Sequence, residues 1–378
     1  DEMIGETGIA HMLEHMLFKP TLRDTTLGSA SGAMKFERDT GCILNANTWK
    51  DRTTYFFNYP RSYFSHALAI EADRMNNVIL SDKEFQPERN NVLSEFDMYF
   101  GDPMFALTTT LIGSAYHAHQ YGHETIGFRE DIESYTVEKL QQFYSNYYRP
   151  DNATLIVIGD IELGKALSTI TDHFGKIDNP TTSIPRIHAR EPKQEGIRRS
   201  NITRTSNANL LAIGVKHDAF PTAEWLETMI LFDVLCGRSD SVLHKLLVDT
   251  GLASKVEYMI EPTSEPNLGI IYISLAQNVN HAEIEKKVLQ CVRSLTTTDI
   301  VKDTKKAIQS ECTEIVFVRD NSIRLAMALT EYASAGNWEE FTNLKNTLSN
   351  ITSRKLLGRA KKLFRDSNLT IGTFIGTT

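Results

Sequence analysis

Along most of the chain apolar residues recur every three or four positions, the period of a helix with one buried face. That period predicts helices over residues 8–18, 62–79, 85–115, 222–235, 282–294 and 301–335. Shorter runs, alternating or continuously apolar, predict strands over 41–47, 53–59, 153–158, 208–214 and 268–275. Strands mixed with long helices in both halves argue for α/β or α+β layers rather than an all-helical chain.

One segment occurs twice. Thr136, Lys139, Leu140, Arg149, Asn152 and Thr154 match Thr352, Lys355, Leu356, Arg365, Asn368 and Thr370 without a gap, each pair 216 residues apart. In both copies a helical pattern leads into an apolar run that ends near a glycine, Gly159 or Gly376. A register kept from Thr136 to Thr154 predicts a duplicated unit. Residues 176–200, with Pro180, Pro185, Pro192 and many charges, show little periodicity and suit a connection. The expected organisation is therefore a first domain at 1–180, a linker at 181–197 and a second domain at 198–378. The expected fold is α+β: two homologous α/β sandwich domains, each a mainly antiparallel sheet with helices packed on one face.

Composition narrows the functions. The 378 residues exceed what one hydrophobic core usually serves. Lys and Arg number 40 against 48 Asp and Glu, a net charge of -8, which gives no electrostatic case for nucleic acid as a partner. No run approaches the ~18 apolar residues of a membrane helix. No basic-then-apolar leader opens the chain as given. Cys42, Cys236, Cys291 and Cys312 have no short pairing, which argues against a disulfide-stapled scaffold or a Cys-rich zinc module.

The chemistry concentrates in Gly8-Ile-Ala-His11-Met-Leu-Glu14-His15-Met-Leu-Phe18. On a helix His11 and His15 stand one turn apart on one face, where two neutral imidazoles can share a Zn²⁺ ion. Glu14 lies at the edge of that face, within reach of a water beside the metal. The same pattern also suits two half-buried core histidines, so a third ligand decides. Glu88 and Glu95, two turns apart on a helix with Pro87 expected in its first turn, are the candidates. Two such acids are ordinarily just solvated. Beside an H-x-x-E-H helix the better reading gives Glu95 to the metal and Glu88 to support of a ligand. His117, His119 and His123 are spaced as a second metal set would be but read better as part of a structural turn at Tyr116–Gly127, and His66, His173, His188, His217, His244 and His281 are isolated.

Together with Asn45-Ala46-Asn-Thr48 and Glu88-Arg-x-x-Val92-x-x-Glu95, this segment resembles the inverzincin peptidases, peptidase family M16, which includes insulin-degrading enzyme, pitrilysin and the mitochondrial processing peptidases. The resemblance continues through Tyr121-Gly-His-Glu-Thr-Ile126-Gly127, Pro150-Asp-Asn152 to Gly159-Asp160, and Cys236-Gly-Arg-Ser to Leu243. It implies His11, His15 and Glu95 as zinc ligands, Glu14 as general base and Glu88 as a supporting acid. It also implies an edge strand at Asn45 and Ala46 against which a substrate peptide pairs. The length is similar to that of the short-subunit, bacterial-type branch, in which two chains close around a peptide chamber.

Two departures matter. In the family two strands precede the H-x-x-E-H helix, so the first domain is expected to lack its leading strands here. Active members carry an arginine and a tyrosine in the second half, where this chain has Leu247 and Ser254; a shifted alignment brings in Lys245 or Tyr258. The expectation is a zinc endopeptidase whose partner is a second subunit of the same type, different or identical, with no nucleic acid and no membrane span. The competing readings are a non-catalytic structural subunit of this fold and a peptide-binding module. The compartment is not fixed by the sequence; the resemblance leans to a bacterial periplasm over an organelle matrix or the cytoplasm.

Overall fold

A computed structural model describes residues 1–26, 32–187 and 189–377 of the chain, which leaves His188 outside. The described chain forms two units. The first comprises Asp1–Met98, His123–His188 and Ser322–Thr330, and the second Tyr99–Gly122, Ala189–Asn321 and Glu331–Thr378. Each unit therefore draws on both sides of residues 181–197.

In the first unit, α1 (Ile9–Met16) buries Ile9, Met12, Leu13 and Met16, the i, i+3, i+4, i+7 stripe of an amphipathic helix. Its other stripe carries His11, Glu14 and His15. Strands β1 (Ile43–Thr48) and β2 (Thr53–Asn58) form an antiparallel hairpin in which Leu44 faces Phe57, Ala46 faces Tyr55 and Thr48 faces Thr53. Because side chains alternate, Leu44, Ala46, Thr48, Thr53, Tyr55 and Phe57 share one face, and Asn45 and Asn47 occupy the other. The hairpin packs against α1, as does the helix Val137–Tyr147 from its own direction.

The second unit is built on a five-stranded sheet. Its strands are β3 (Arg198–Thr205), β4 (Asn209–Lys216), β5 (Ala253–Met259), β6 (Leu268–Leu275) and β7 (Leu369–Thr377), in the order β3-β7-β4-β6-β5. Only β3 and β7 run parallel. Leu211, Ile213, Ile271 and Ile273 are fully buried on the face that receives Phe232 of the helix Ala223–Cys236. The opposite face, through Leu210, Ala212, Ile270 and Phe374, is covered by Leu107 and Leu111 of the helix Pro103–Ala115.

The helix and turn of the sequence repeat recur in three dimensions, while its strand forms only in the second copy. Thr136 and Thr352 cap their helices by accepting from the N–H of Lys139 and Lys355. Asn152 and Asn368 each donate a side-chain N–H to the carbonyl five residues back, Tyr147 at 2.9 Å and Leu363 at 2.8 Å.

Several expected elements come out differently. Residues 153–158 form no strand and leave Leu155 45% exposed, because an apolar run becomes a strand only when a neighbour takes its backbone groups. The stretch 85–115 is two helices, Asp82–Gly101 and Pro103–Ala115. Asp102, in an extended conformation, accepts from the Phe105 N–H at 2.9 Å, and Pro103 opens the second helix. Likewise 301–335 divides into Thr297–Arg319 and Ser322–Ser334. Pro87, expected in a first turn, lies inside the Asp82–Gly101 helix, which Asp82 and Glu84 already begin. Strands β3 and β5 have too few apolar positions to be read from sequence; both lie at sheet edges. No described helix is long and apolar enough to cross a membrane.

Candidate metal centre

Helix α1 is anchored at its start by carboxylates. Glu2 accepts from the N–H groups of Gly8 at 2.7 Å and Ala10 at 2.9 Å, satisfying donors left free at the helix start, while burial raises its pKa. Asp131 accepts from the N–H groups of Gly5 and Thr7 and from the Thr7 hydroxyl. Gly8 has φ 86°, and a Cβ there would lie 2.2 Å from the Ile126 carbonyl oxygen; a Cβ on Gly127 would lie 2.0 Å from that of Thr7. This approach requires glycine at both positions.

So fixed, α1 points its polar stripe at the Asp82–Gly101 helix. There Phe85, Glu88 and Val92 are buried along one line that continues to Glu95. Glu95 Oε2 lies 3.5 Å from His15 Nε2 and 3.8 Å from His11 Nε2, and the three ligand atoms fall within 4.8 Å of one another. Among the described residues, this is the one such set of three able to hold an ion. Glu88 Oε1 lies 3.0 Å from His15 Nδ1, while its other oxygen pairs with Lys19. An ionised carboxylate can only accept, so Glu88 holds a His15 proton on Nδ1 and turns Nε2 toward Glu95.

The electrostatics follow from burial and these partners. Burial, assisted by His15, lowers the His11 pKa to about 4. Burial also acts to lower His15, but Glu88 and Glu95 outweigh it and raise its pKa to about 9. The His15 hydrogen bond, with Lys19 adding to it, brings Glu88 down to about 2 despite burial. Glu14 is raised by burial, partly offset by a 2.6 Å hydrogen bond donated by Thr48.

Two imidazoles and one carboxylate, with no sulfur, make a donor set suited to zinc. Bonds of about 2.1 Å in a tetrahedron put ligand atoms roughly 3.4 Å apart. The two distances from Glu95 lie near that edge, so the residues fit the ion. Residues 2–128 match the family model described as Insulinase (Peptidase family M16), and residues 134–308 the one described as Peptidase M16 inactive domain.

The chain belongs to peptidase family M16. It is of the short-subunit type. It is 26% identical over 375 residues to the zinc protease PqqE of Helicobacter pylori, covering 98% of this chain and 84% of that protein. The crystal structure of a protease from Helicobacter pylori superposes with a TM-score of 0.92 at 25% identity, covering 99% of this chain and 91% of the other. The first half of the periplasmic protease PqqL from Escherichia coli shares the fold, with a TM-score of 0.74 at 18% identity over 100% of this chain and 84% of that one.

The remaining candidates fall in distinct places. Asn45 is exposed on β1, and its side-chain oxygen accepts from the Ala46 N–H at 2.9 Å. Among the described residues β1 pairs only with β2, so its other edge carries no strand. In the second unit Leu247 is fully buried in the short helix His244–Val248, while Ser254 sits exposed at a bulge of β5. Lys245 is exposed, and Tyr258 packs edge-on against Phe232. The three clustered histidines are engaged separately. The N–H groups of His117, Ala118 and His119 donate to Glu191, and His119 Nε2 lies 2.6 Å from Glu265. His123 Nδ1 lies 2.9 Å from the Glu124 carbonyl.

Sequence reasoning gave no role to Glu2, Lys19, Thr48 or Asp131. Lys19 had a readable signal, one helical turn beyond His15; Glu2 and Asp131 had none, because their work is done on backbone N–H groups.

Proposed function

We propose that this chain is a zinc-dependent endopeptidase that hydrolyses peptides or unfolded segments within a closed chamber, as the metal-bearing subunit of a dimer. In this reading His11, His15 and Glu95 hold the ion, and Glu88 orients His15. Residues 1–180 act as the metal-binding domain and 198–378 as its homologous companion. The observation that carries the reading is the approach of Glu95 to both imidazoles with Glu14 on the same helix face. The relatives named zinc proteases support it. When bound, zinc supplies Lewis-acid polarisation and acidifies water toward neutrality.

The chain's own residues supply the rest. An extended peptide pairs with the open edge of β1 at Asn45 and Ala46, which aligns its scissile bond along the hairpin. Asn45 must first release the Ala46 N–H. Glu14 takes the proton of the attacking water and returns it to the departing amine. The second half carries Leu247 and Ser254 where active relatives hold the substrate carbonyl, so a different M16-type subunit completes the chamber, with a homodimer as the alternative. A periplasmic location is proposed by analogy with the periplasmic protease PqqL, and cell fractionation tests it.

The test of activity measures zinc content and turnover of an unstructured peptide, alone and with a co-purifying partner. About one zinc per chain, with cleavage abolished by Glu14→Gln while zinc and fold are kept, is the expected result. Zinc-free protein, or full cleavage by the Gln variant, refutes it. A non-catalytic subunit would bind no ion, and a peptide-binding module would hold peptide equally well after chelation.

A further inference from the structure

Behind Glu14 runs a string of hydroxyl groups that the proposed chemistry does not otherwise use. Thr48 and Thr53 are direct cross-strand partners at the closed end of the β1–β2 hairpin, with their Oγ1 atoms 3.3 Å apart. The Thr53 hydroxyl also hydrogen-bonds Tyr148, and the Tyr148 and Tyr55 hydroxyls lie 3.0 Å apart. Packing holds the two tyrosines. The ring of Tyr144 stacks on Tyr148 with centroids 5.3 Å apart, and the Arg74 guanidinium lies 4.6 Å from the centre of the Tyr55 ring.

Proton accounting fixes the direction of the whole string. Each hydroxyl owns one proton, and an ionised carboxylate owns none. The 2.6 Å contact with Glu14 Oε2 therefore spends the Thr48 proton. With the Thr48 proton spent, the three remaining contacts are each filled by one proton only when Thr53 donates to Thr48, Tyr148 to Thr53 and Tyr55 to Tyr148. All four O–H groups point toward the carboxylate. At the far end sits Arg74, buried, its Nη2 paired with Glu71 and its guanidinium over the Tyr55 ring. Hydrogen bonds aligned head to tail strengthen one another.

We infer that Thr53, Tyr148 and Tyr55 are positioning residues for Glu14, forming a one-way hydroxyl chain that commits Oε2 to Thr48 and reserves Oε1 for the proton of the attacking water. This rests on Glu14 being the general base. Because Thr48 still donates to Oε2 after Glu14 has taken a proton, the acid O–H stays on Oε1, and the same oxygen receives the proton and delivers it to the leaving amine. The aromatic rings and the hairpin register supply the rigidity, so no part of the chain needs to touch substrate or metal.

The test uses the zinc-loaded protein with Thr53→Val, Thr53→Ser and Tyr148→Phe, and the metal-free protein with Thr48→Val, Tyr148→Phe and both together. The valine and phenylalanine variants should lose about tenfold in kcat with KM and zinc content unchanged, and Thr53→Ser should restore it. In thermal melts of the metal-free protein, Tyr148→Phe should lower Tm in the wild type and much less in Thr48→Val, the coupling expected of a shared chain. Additive Tm shifts, or kcat within about twofold of wild type in both variants, overturn the inference while Glu14→Gln remains inactive. An active Glu14→Gln variant overturns instead the reading of the base on which the inference stands.

Discussion

The hydrogen bond between Glu88 and His15 should set the affinity of the metal centre. Glu88 is 8% exposed, with one oxygen 3.0 Å from His15 Nδ1 and the other on Lys19. Replacing it with alanine removes the acceptor that fixes the His15 tautomer and lets the ring turn, so Nε2 no longer faces Glu95 by default. Lys19 keeps 27% side-chain exposure and can be solvated by water, so the fold should survive. Loss of such an outer partner lowers metal affinity by about 10–100-fold, or roughly 1.4–2.7 kcal/mol. Glu88→Gln retains an oxygen that can accept from Nδ1 and loses only the charge, so it should fall near the lower end and Glu88→Ala near the upper. Competition with a chromophoric zinc chelator measures both. A Glu88→Ala protein that binds zinc within about twofold of wild type would show that the carboxylate does not orient the ligand.

Other perturbations follow from the same contacts. Gly8→Ala places a Cβ 2.2 Å from the Ile126 oxygen in a left-handed conformation, so denaturant melts should show a loss of more than about 2 kcal/mol, together with weaker zinc binding. Thr136→Ala and Thr352→Ala each remove a helix cap and should each cost about 1 kcal/mol, adding nearly independently in the double variant. Burial lowers the His217 pKa to about 4 from the ordinary 6.5. The folded state then binds fewer protons than the unfolded one between those values, so this group's contribution is present above the unfolded pKa and lost as pH falls toward 4. At pH 5 the loss is about 2 kcal/mol, and melts of His217→Asn across this range should show a correspondingly shallower acid dependence.

What the sequence revealed and what it hid separate along physical lines. His11, Glu14 and His15 were legible because one helical period sorts them onto a single face and sends Ile9, Met12, Leu13 and Met16 to the other. Glu95 was legible only in company: its seven-residue spacing from Glu88 selects a face, and the H-x-x-E-H helix gives that face a purpose. Edge strands β3 and β5 escaped because a strand packed on one side needs few apolar residues. The run at 153–158 misled for the opposite reason, since apolar content does not supply a pairing partner. The split at Asp102 is readable as an Asp-Pro pair inside a long helical period, where an N-cap aspartate and a proline start a new helix. The hydroxyl chain could not be read at all, because Thr48 and Thr53 meet only through the hairpin register and Tyr148 arrives from a distant helix.

The second half explains why the proposed division of labour between subunits would be hard to reverse. Leu247 has no exposed surface and stands in the irregular helix His244–Val248, directly before the turn that leads into β5. An arginine installed there would have to bury its guanidinium among apolar neighbours or break that turn, and either costs several kcal/mol. Ser254, exposed at the β5 bulge, would accept a tyrosine without strain. On the alignment that sets Leu247 and Ser254 at the substrate-holding positions, restoring the tyrosine is compatible with this fold and restoring the arginine is not. If those two groups are needed for full turnover, they must come from another chain. Leu247→Arg/Ser254→Tyr should accordingly melt earlier than Ser254→Tyr alone and gain no cleavage, whereas a cognate partner should raise turnover of the unaltered protein.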